Sequence, residues 1–228
     1  MIYIIGLGLS EKSISLEGIE AIGKCKKIYL ENYTVNFPYS AEKLEKTIKK
    51  KIESVGRNFV EGNELIIEAK KADIALLVYG SPLTATTHIT LIQEAKKENI
   101  KCEVIYNASI LDGVAECGLQ LYKFGKISSI PNFEADSFIE IVKENQKINA
   151  HSLILVDIGL EFKKAIKRIE KIADKKKVVV CSKLGTKEKK IFYGTIKELE
   201  NKNIEAPFCF VIPAKLHFME EEVLESFS

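Results

Sequence analysis

The sequence predicts an α/β protein made of two domains, the first on a mainly parallel sheet and the second on a mixed sheet. Up to about residue 110, short apolar segments alternate with amphipathic ones, which is typical of a parallel sheet with helices on both faces. Later, the apolar segments 190–193 and 208–212 have no long helix between them, so a parallel crossover is not required. We expect domains at residues 1–110 and 111–228, with a cleft between them and a boundary between about Ser109 and Ser129.

The elements of the first half follow from apolar periodicity. Residues 2–5 form an apolar strand, and Ser15 is suited to cap a helix with Leu16, Ile19 and Ile22 on one face. Further strands are predicted at residues 27–30, 74–78 and 102–106, and further helices at 43–52, 65–72, 89–95 and from Ser109 to about Cys117.

The second half contains the most regular amphipathic helix of the chain. Its apolar residues recur at spacings of three and four, at Phe162, Ala165, Ile166, Ile169 and Ala173. A second helix is predicted around Phe138 and Val142, and strands at residues 153–156, 178–181, 190–193 and 208–212.

Composition excludes several classes of function. Apolar residues make up 46% and charged residues 29% of the 228 residues, as in a folded globular protein. The formal charge of +2 and the mixing of lysines with glutamates argue against a nucleic-acid partner. No apolar run approaches the roughly 20 residues that span a bilayer, so we expect no membrane partner.

The cysteines and histidines favour a protein of a reducing compartment. The five cysteines form no Cys-x-x-Cys pair, and no signal peptide precedes the first strand. The three histidines lack the spacing of zinc ligands. We therefore expect free thiols, no metal site and a cytoplasmic location.

Three loops with small or polar residues follow predicted strands and make the strongest site candidate. The strand at 74–78 ends on Gly80-Ser81-Pro82, where Thr86 or Thr87 is expected to cap the next helix. Residues 107–110 and 6–9 are similar strand ends. Ligands of open α/β sheets bind at the carboxyl ends of strands, so we expect these loops to line one pocket wall.

Three common glycine-containing motifs do not match these loops. A dinucleotide fingerprint needs a third glycine where Glu11 stands, which argues against a nicotinamide cofactor. No lysine follows Gly80 as in a Walker loop, and Ser81 lacks the Gly-x-Ser-x-Gly context of a hydrolase. His88, in the first turn of a helix, is expected to pack or to face water rather than to act as a base.

Five runs along the chain carry a resemblance to a known family. They are residues 5–9 (Ile-Gly-Leu-Gly-Leu), 80–88 (Gly-Ser-Pro-Leu-Thr-Ala-Thr-Thr-His), 109–110 (Ser-Ile), 122–125 (Tyr-Lys-Phe-Gly) and 212–217 (Ile-Pro-Ala-Lys-Leu-His). The chain resembles the diphthine synthases, a family within the tetrapyrrole-methylase-like class of S-adenosylmethionine-dependent methyltransferases. The resemblance covers essentially the whole chain, and the runs Ala85-Thr86-Thr87-His88 and 213–217 are specific to diphthine synthases within that class.

The resemblance implies two α/β domains of the tetrapyrrole methylase type, with S-adenosyl-L-methionine in the cleft between them and S-adenosyl-L-homocysteine as product. It implies a homodimer that N-methylates the 3-carboxy-3-aminopropyl-modified histidine of translation elongation factor 2, giving diphthine. No catalytic side chain is assigned. By motif position, the implied cofactor contacts are Leu9, Ser81, Thr84, Ser109, Ile110, Val156, Leu184 and Phe208.

Three of these positions depart from the family pattern. Ser81 stands where an aspartate is usual, Thr84 replaces an aliphatic residue and Phe208 replaces a common histidine. Two alternatives stay open at this point. One is a methyltransferase of the same class that acts on a small corrinoid or porphyrin precursor. The other is a non-catalytic relative that binds S-adenosylmethionine, for which the loss of the aspartate at Ser81 is the best support.

Overall fold

The structure, a computed structural model, describes residues 1–173 and 175–228. The chain divides into two compact units, Met1–Ile110 and Leu111–Ser228, which we call unit 1 and unit 2.

Unit 1 is built on a five-stranded sheet in the order β3-β2-β4-β1-β5, and every strand pair in it is parallel. Its strands are β1 (Ile2–Gly6), β2 (Lys27–Glu31), β3 (Glu53–Val55), β4 (Ile74–Val78) and β5 (Cys102–Ile105). Its helices are α1 (Leu16–Lys24), α2 (Ala41–Ile48), α3 (Arg57–Glu61), α4 (Glu64–Ala69) and α5 (Ile89–Lys97). The parallel sheet predicted for the first half is confirmed.

The central strands β1 and β4 are apolar because both of their faces are covered. Alternate residues of a strand point to opposite faces. Tyr3 and Ile5 pack into the core on one side of the sheet, whereas Ile2 and Ile4 pack into the core on the other side. This explains why β1 is a continuous apolar run rather than an alternating pattern.

Several boundaries in unit 1 differ from the prediction. The helix predicted to reach residue 52 ends at Ile48, because Lys49 takes a left-handed conformation with φ of 57°. The chain then forms β3, which the sequence did not indicate. Ser15 caps α1 as predicted, since its hydroxyl accepts from the Gly18 N–H at 3.0 Å, but Leu16 is 83% exposed and lies off the buried face.

The strand predicted at residues 102–106 ends at Ile105 and leaves Tyr106 exposed. The single helix expected from Ser109 to Cys117 is divided into two. A short α-helix, α6 (Ile110–Gly113), is followed by a 3-10 turn at Val114–Cys117.

Unit 2 contains a mixed sheet in the order β6-β7-β10-β8-β9, as predicted. The β6–β7 pair is parallel, and the β7–β10, β10–β8 and β8–β9 pairs are antiparallel. Its strands are β6 (Ser128–Ile130), β7 (Ser152–Val156), β8 (Val178–Ser182), β9 (Lys190–Gly194) and β10 (Phe208–Ile212). Its remaining helices are α7 (Ser137–Lys147), α8 (Phe162–Ala173), α9 (Ile196–Leu199) and α10 (Phe218–Glu225).

Helix α8 provides one side of the core of unit 2. All five of its predicted apolar positions are buried, and the Phe162 ring stacks on Phe210 of β10 with centroids 5.9 Å apart. The regular spacing of these residues therefore did predict the buried face of the helix.

The described residues contain neither a membrane-spanning helix nor a metal-binding cluster. None of their helices is both long and apolar enough to cross a bilayer. Across residues 1–173 and 175–228, histidine, cysteine and acidic side chains form no cluster suited to a metal ion. The five cysteines are free thiols.

Candidate functional site

Two chain reversals at the carboxyl edge of the unit 1 sheet are joined by their main chains. The N–H of Gly8 donates to the Gly80 carbonyl at 3.1 Å, and the N–H of Gly80 donates to the Gly8 carbonyl at 3.0 Å. Both glycines have positive φ, 68° and 71°, a region that side chains disfavour. The glycines that follow β1 and β4 are thus required by this pairing.

A third reversal, after β5, is tied to the same place by Asn107. Its side-chain amide donates to the Gly6 carbonyl at 3.1 Å and to the Ser13 carbonyl at 2.9 Å. A Cβ added to Gly80 would lie 3.5 Å from the Cα of Ser109. The structure therefore brings the loops of Leu9, Ser81 and Ser109 together at one edge, as the sequence predicted.

The side chains at this edge are neutral and differ in accessibility. Residues 7–10, 79–84 and 107–110 include no charged side chain. Ser81, Thr84 and Ile110 are half-buried, whereas Leu9 and Ser109 are buried, so Leu9 and Ser109 offer mostly main chain to a ligand. In the described structure, neither the hydroxyl nor the N–H of Ser81 has a hydrogen-bond partner.

The loop after β4 is braced on the carbonyl of Pro82. This oxygen accepts from the Thr86 hydroxyl at 2.7 Å and lies 3.0 Å from Nδ1 of His88. The expectation that Thr86 or Thr87 caps the next helix is wrong. Thr86 bonds to Pro82, Thr87 donates to Glu61 at 2.9 Å, and α5 begins after His88 without a side-chain cap.

In unit 2, the three predicted contact residues also lie at one sheet edge. Phe208 begins β10 and pairs with Ser182 at the end of β8, two residues before Leu184. Since Phe210 pairs with Ile154, the same antiparallel register places Phe208 opposite Val156. Leu184 is buried, and the Phe208 ring packs edge-on against Phe162, so the ring of Phe208 is partly used by the core.

A buried carboxylate connects two further motifs of unit 2. Glu220 is 1% exposed, and its carboxylate accepts from the N–H of Gln120 at 3.0 Å and the N–H of His217 at 2.8 Å. Lys123 forms an ion pair with it, and Nε2 of His151 lies 3.2 Å from it. The runs 122–125 and 212–217 are thereby held to one side chain.

Hydrogen bonding determines the charge state of this cluster. Nδ1 of His151 accepts from the Ala214 N–H at 2.9 Å, so Nε2 carries the proton that is donated to Glu220. Burial lowers the pKa of His151, which favours the neutral ring. Burial also raises the pKa of Glu220, but the hydrogen bonds from His217, Lys123 and Gln120 outweigh it and bring this pKa to about 2.

The chain matches the family of tetrapyrrole (corrin/porphyrin) methylases over residues 1–200. The diphthine synthase of Methanocaldococcus jannaschii is 38% identical over 99% of this chain and 98% of its own length. The chain belongs to the diphthine synthase family.

Other members of the diphthine synthase family support the assignment. The diphthine methyl ester synthase of Schizosaccharomyces pombe is 32% identical over 100% of this chain and 94% of its own length. A crystal structure of a diphthine synthase superposes with a TM-score of 0.91 at 30% identity, covering 100% of this chain and 95% of the other. The chain is thus a methyltransferase with the tetrapyrrole methylase fold.

Sequence reasoning missed the side chains that organise the diphthine synthase motifs. Asn107 was noted only as part of a strand end with small or polar residues, and Glu220 was not singled out. Spacing alone did not indicate either role. One signal was available for Glu220, because a glutamate three residues after His217 is the pattern of a capping box, which the structure contains.

Replacing Gly8 by alanine should destabilise unit 1. The new Cβ would lie 2.5 Å from the Cβ of Ser13 at a φ of 68°, so the Gly8–Gly80 pairing must distort. We expect a loss of roughly 2 kcal/mol in the free energy of unfolding by urea denaturation. The matched control is Gly23→Ala in α1, where nothing lies within 4 Å, and it should be neutral or slightly stabilising. Equal effects of the two changes would contradict the assigned strain.

Replacing Glu220 by glutamine should remove an acid-sensitive contribution to stability. A carboxylate whose pKa is lowered from 4.5 to about 2 stabilises the fold above pH 4.5, and this contribution is lost as the pH falls toward 2. We expect the variant to be less stable by on the order of 2 kcal/mol at pH 6, with a smaller difference at pH 3.5. Denaturant unfolding at both pH values measures this.

The exposed Glu222→Gln change is the control and should have little effect at either pH. A Glu220→Gln deficit that is equal at pH 6 and pH 3.5 would show that the carboxylate charge is not responsible.

Proposed function

We propose that this chain N-methylates the 3-carboxy-3-aminopropyl-modified histidine of translation elongation factor 2 to give diphthine. In this proposal S-adenosyl-L-methionine is the methyl donor and S-adenosyl-L-homocysteine the product. The observation that carries it is the joining of the Leu9, Ser81 and Ser109 loops by the Gly8–Gly80 pairing and Asn107. From the resemblance to this family we also propose a cytoplasmic location and a homodimer.

The residues at this edge fit a nucleoside that carries both positive and negative charges. Gly80 has no side chain to fill the space beside Ser109, and the Ser81 hydroxyl and N–H are unpartnered in the described structure. We call residues 80–84 the donor loop and assign it the methionine part. Ser109 and Ile110 are assigned to the adenosine. The family resemblance also makes Val156, Leu184 and Phe208 predicted cofactor contacts.

The donor's sulfonium supplies an activated methyl group for an in-line displacement by a neutral amine. The protein's part is to bind, to orient and to exclude water, for which rigid main chain at a braced loop is suited. Well-oriented groups can contribute roughly 7 to 11 kcal/mol to such a step. This agrees with a site that has no charged side chain in its three loops.

Ser81 in place of aspartate changes the electrostatics of the donor loop. A carboxylate beside a cationic ligand would attract it, whereas a hydroxyl offers only hydrogen bonds. Because neither Ser81 nor its neighbours in the loop is charged, we assign cofactor affinity to main-chain groups and to the Ser81 hydroxyl.

The direct test is intact-mass analysis of elongation factor 2 after incubation with this protein and S-adenosylmethionine. Factor that bears the 3-carboxy-3-aminopropyl group should gain whole methyl groups, and unmodified factor should gain none. Ser109→Leu should lose the reaction and weaken S-adenosylmethionine binding at least about tenfold in calorimetry, because the larger side chain enters the space beside Gly80.

The control is Ser54→Leu, an exposed position on β3 at the opposite edge of the sheet, which should keep both properties. Cofactor binding without methylation of the modified factor would overturn the protein substrate and favour a small acceptor or a non-catalytic relative. Unchanged affinity in Ser109→Leu would overturn the assigned site.

A further inference from the structure

Five buried side-chain atoms lack hydrogen-bond partners in the described structure, and three of them belong to neighbouring residues beside the donor loop. These three are Oε2 of Glu31, Nε2 of His88 and the hydroxyl of Tyr33. Glu31 ends β2 and is 0% exposed, and His88 precedes α5 and is 1% exposed. Buried polar atoms are normally satisfied, so a cluster of unsatisfied ones indicates a shared function.

These atoms belong to one neighbourhood. The rings of Tyr33 and His88 meet edge-on with centroids 6.4 Å apart. The Thr34 hydroxyl donates to Oε1 of Glu31, which leaves only Oε2 to face other groups. Burial raises the pKa of Glu31, while Thr34 and the nearby His88 oppose this shift. The ring contact places Tyr33, two residues after Glu31, against His88, which groups the three buried side chains.

The contact with Pro82 determines which nitrogen of His88 carries a proton. A carbonyl oxygen can only accept, so Nδ1, 3.0 Å from the Pro82 oxygen, must be the donor. Nε2 then points away from the loop, and in the neutral ring it is an acceptor. The group that engages Nε2 controls whether the ring keeps its proton on Nδ1.

Pro82 links the His88 ring to the donor loop of the candidate site. Its carbonyl also accepts from Thr86, so two side chains fix one peptide of the donor loop. The neighbouring Ser81 carbonyl accepts from the Thr84 N–H at 3.1 Å, which closes the turn. A Cβ on Gly6 would lie 3.0 Å from Cδ of Pro82, so the proline packs tightly on the end of β1.

We propose that Glu31 is a positioning residue for the donor loop, and that it acts through His88. Nε2 and the Glu31 carboxylate both accept, so a donor must lie between them. In this proposal one buried water accepts from the Tyr33 hydroxyl and donates to Oε2 of Glu31 and to Nε2 of His88, which keeps the Nδ1 proton on the Pro82 carbonyl. The effect on cofactor binding rests on the proposed function, whereas the state of the His88 ring does not.

Other charges near the cluster are paired on its outer side. The Arg57 guanidinium lies 5.2 Å from the Tyr33 ring centre and 4.0 Å from the Glu61 carboxylate. Glu61 in turn accepts from Thr87. Arg57 and Glu61 are both more exposed than Glu31 and His88, so Glu31 is the acidic group buried against the histidine.

The first measurement is a long-range proton–nitrogen NMR spectrum of the histidine side chains in the full chain without cofactor. Wild-type protein should show His88 with its proton on Nδ1. Glu31→Leu should populate both tautomers, and Glu31→Gln, which keeps polar atoms at the same place, should restore the Nδ1 form. Ser128→Ala, which removes a buried unpartnered hydroxyl in unit 2, is the matched control and should leave His88 unchanged.

The second measurement is S-adenosylmethionine binding by calorimetry. Glu31→Leu should weaken binding about tenfold, and Glu31→Gln should stay within about threefold of wild type. His88→Asn, whose amide can still donate to Pro82, should bind nearly as wild type, and adding Glu31→Leu to it should have no further effect. If Glu31→Leu does not fold, His88→Ala against His88→Asn gives the same comparison.

A proton on Nε2 in wild-type protein, or an unchanged His88 spectrum in Glu31→Leu, would overturn the proposal. A further loss of binding when Glu31→Leu is added to His88→Asn would show that Glu31 acts by a route that does not involve His88. Failure of wild-type protein to bind S-adenosylmethionine would instead refute the proposed function, and the NMR result would still decide the role of Glu31.

Discussion

The reciprocal main-chain hydrogen bonds between Gly8 and Gly80 are the constraint on which the candidate site depends. They join the ends of two neighbouring parallel strands beyond the point where regular pairing stops. Both glycines have positive φ where the chain reverses after each strand. The Asn107 side chain joins the third loop to the same place by a hydrogen bond to the Gly6 carbonyl. A site made mainly of main chain can be rigid without relying on long side chains, whose ordering costs entropy.

Two buried glutamates organise the surrounding motifs in a similar way. In unit 1, Glu31 lies behind His88, which braces the donor loop through Pro82. In unit 2, the Glu220 carboxylate accepts hydrogen bonds from the N–H groups of Gln120 and His217 and forms an ion pair with Lys123. Removing the Glu220 carboxylate leaves its partners unsatisfied, which costs more than the bonds themselves contribute. In each unit, a buried polar side chain thus fixes one of the sequence runs that are typical of the family.

The sequence was sufficient for the fold class and for the grouping of the unit 1 loops. A continuous apolar run such as β4 indicates a strand that is buried on both faces of its sheet. The regular apolar spacing of α8 indicates a helix that is buried on one face. Glycine-containing corners after parallel strands converge because topology places those strand ends at one edge. The family resemblance added the chemistry, which no spacing of these neutral residues could have supplied.

The features that the sequence did not predict mostly depend on contacts between residues far apart in the chain. Nothing local shows that Asn107 reaches Gly6, or that Glu220 reaches Gln120, because such partners are chosen by tertiary packing. The strand β3 was missed because it is three residues long with only Val55 buried. Thr86 and Thr87 were misassigned as caps, since their hydroxyls found the Pro82 carbonyl and Glu61 instead.

Hydrogen–deuterium exchange with and without S-adenosylmethionine tests the central claim most directly. If the three joined loops bind the methyl donor, amides in residues 7–10, 80–84 and 107–110 should exchange more slowly when the cofactor is bound, with the edge strand β3 unaffected. Cofactor binding that is measurable by calorimetry but leaves these three segments unprotected would contradict the account.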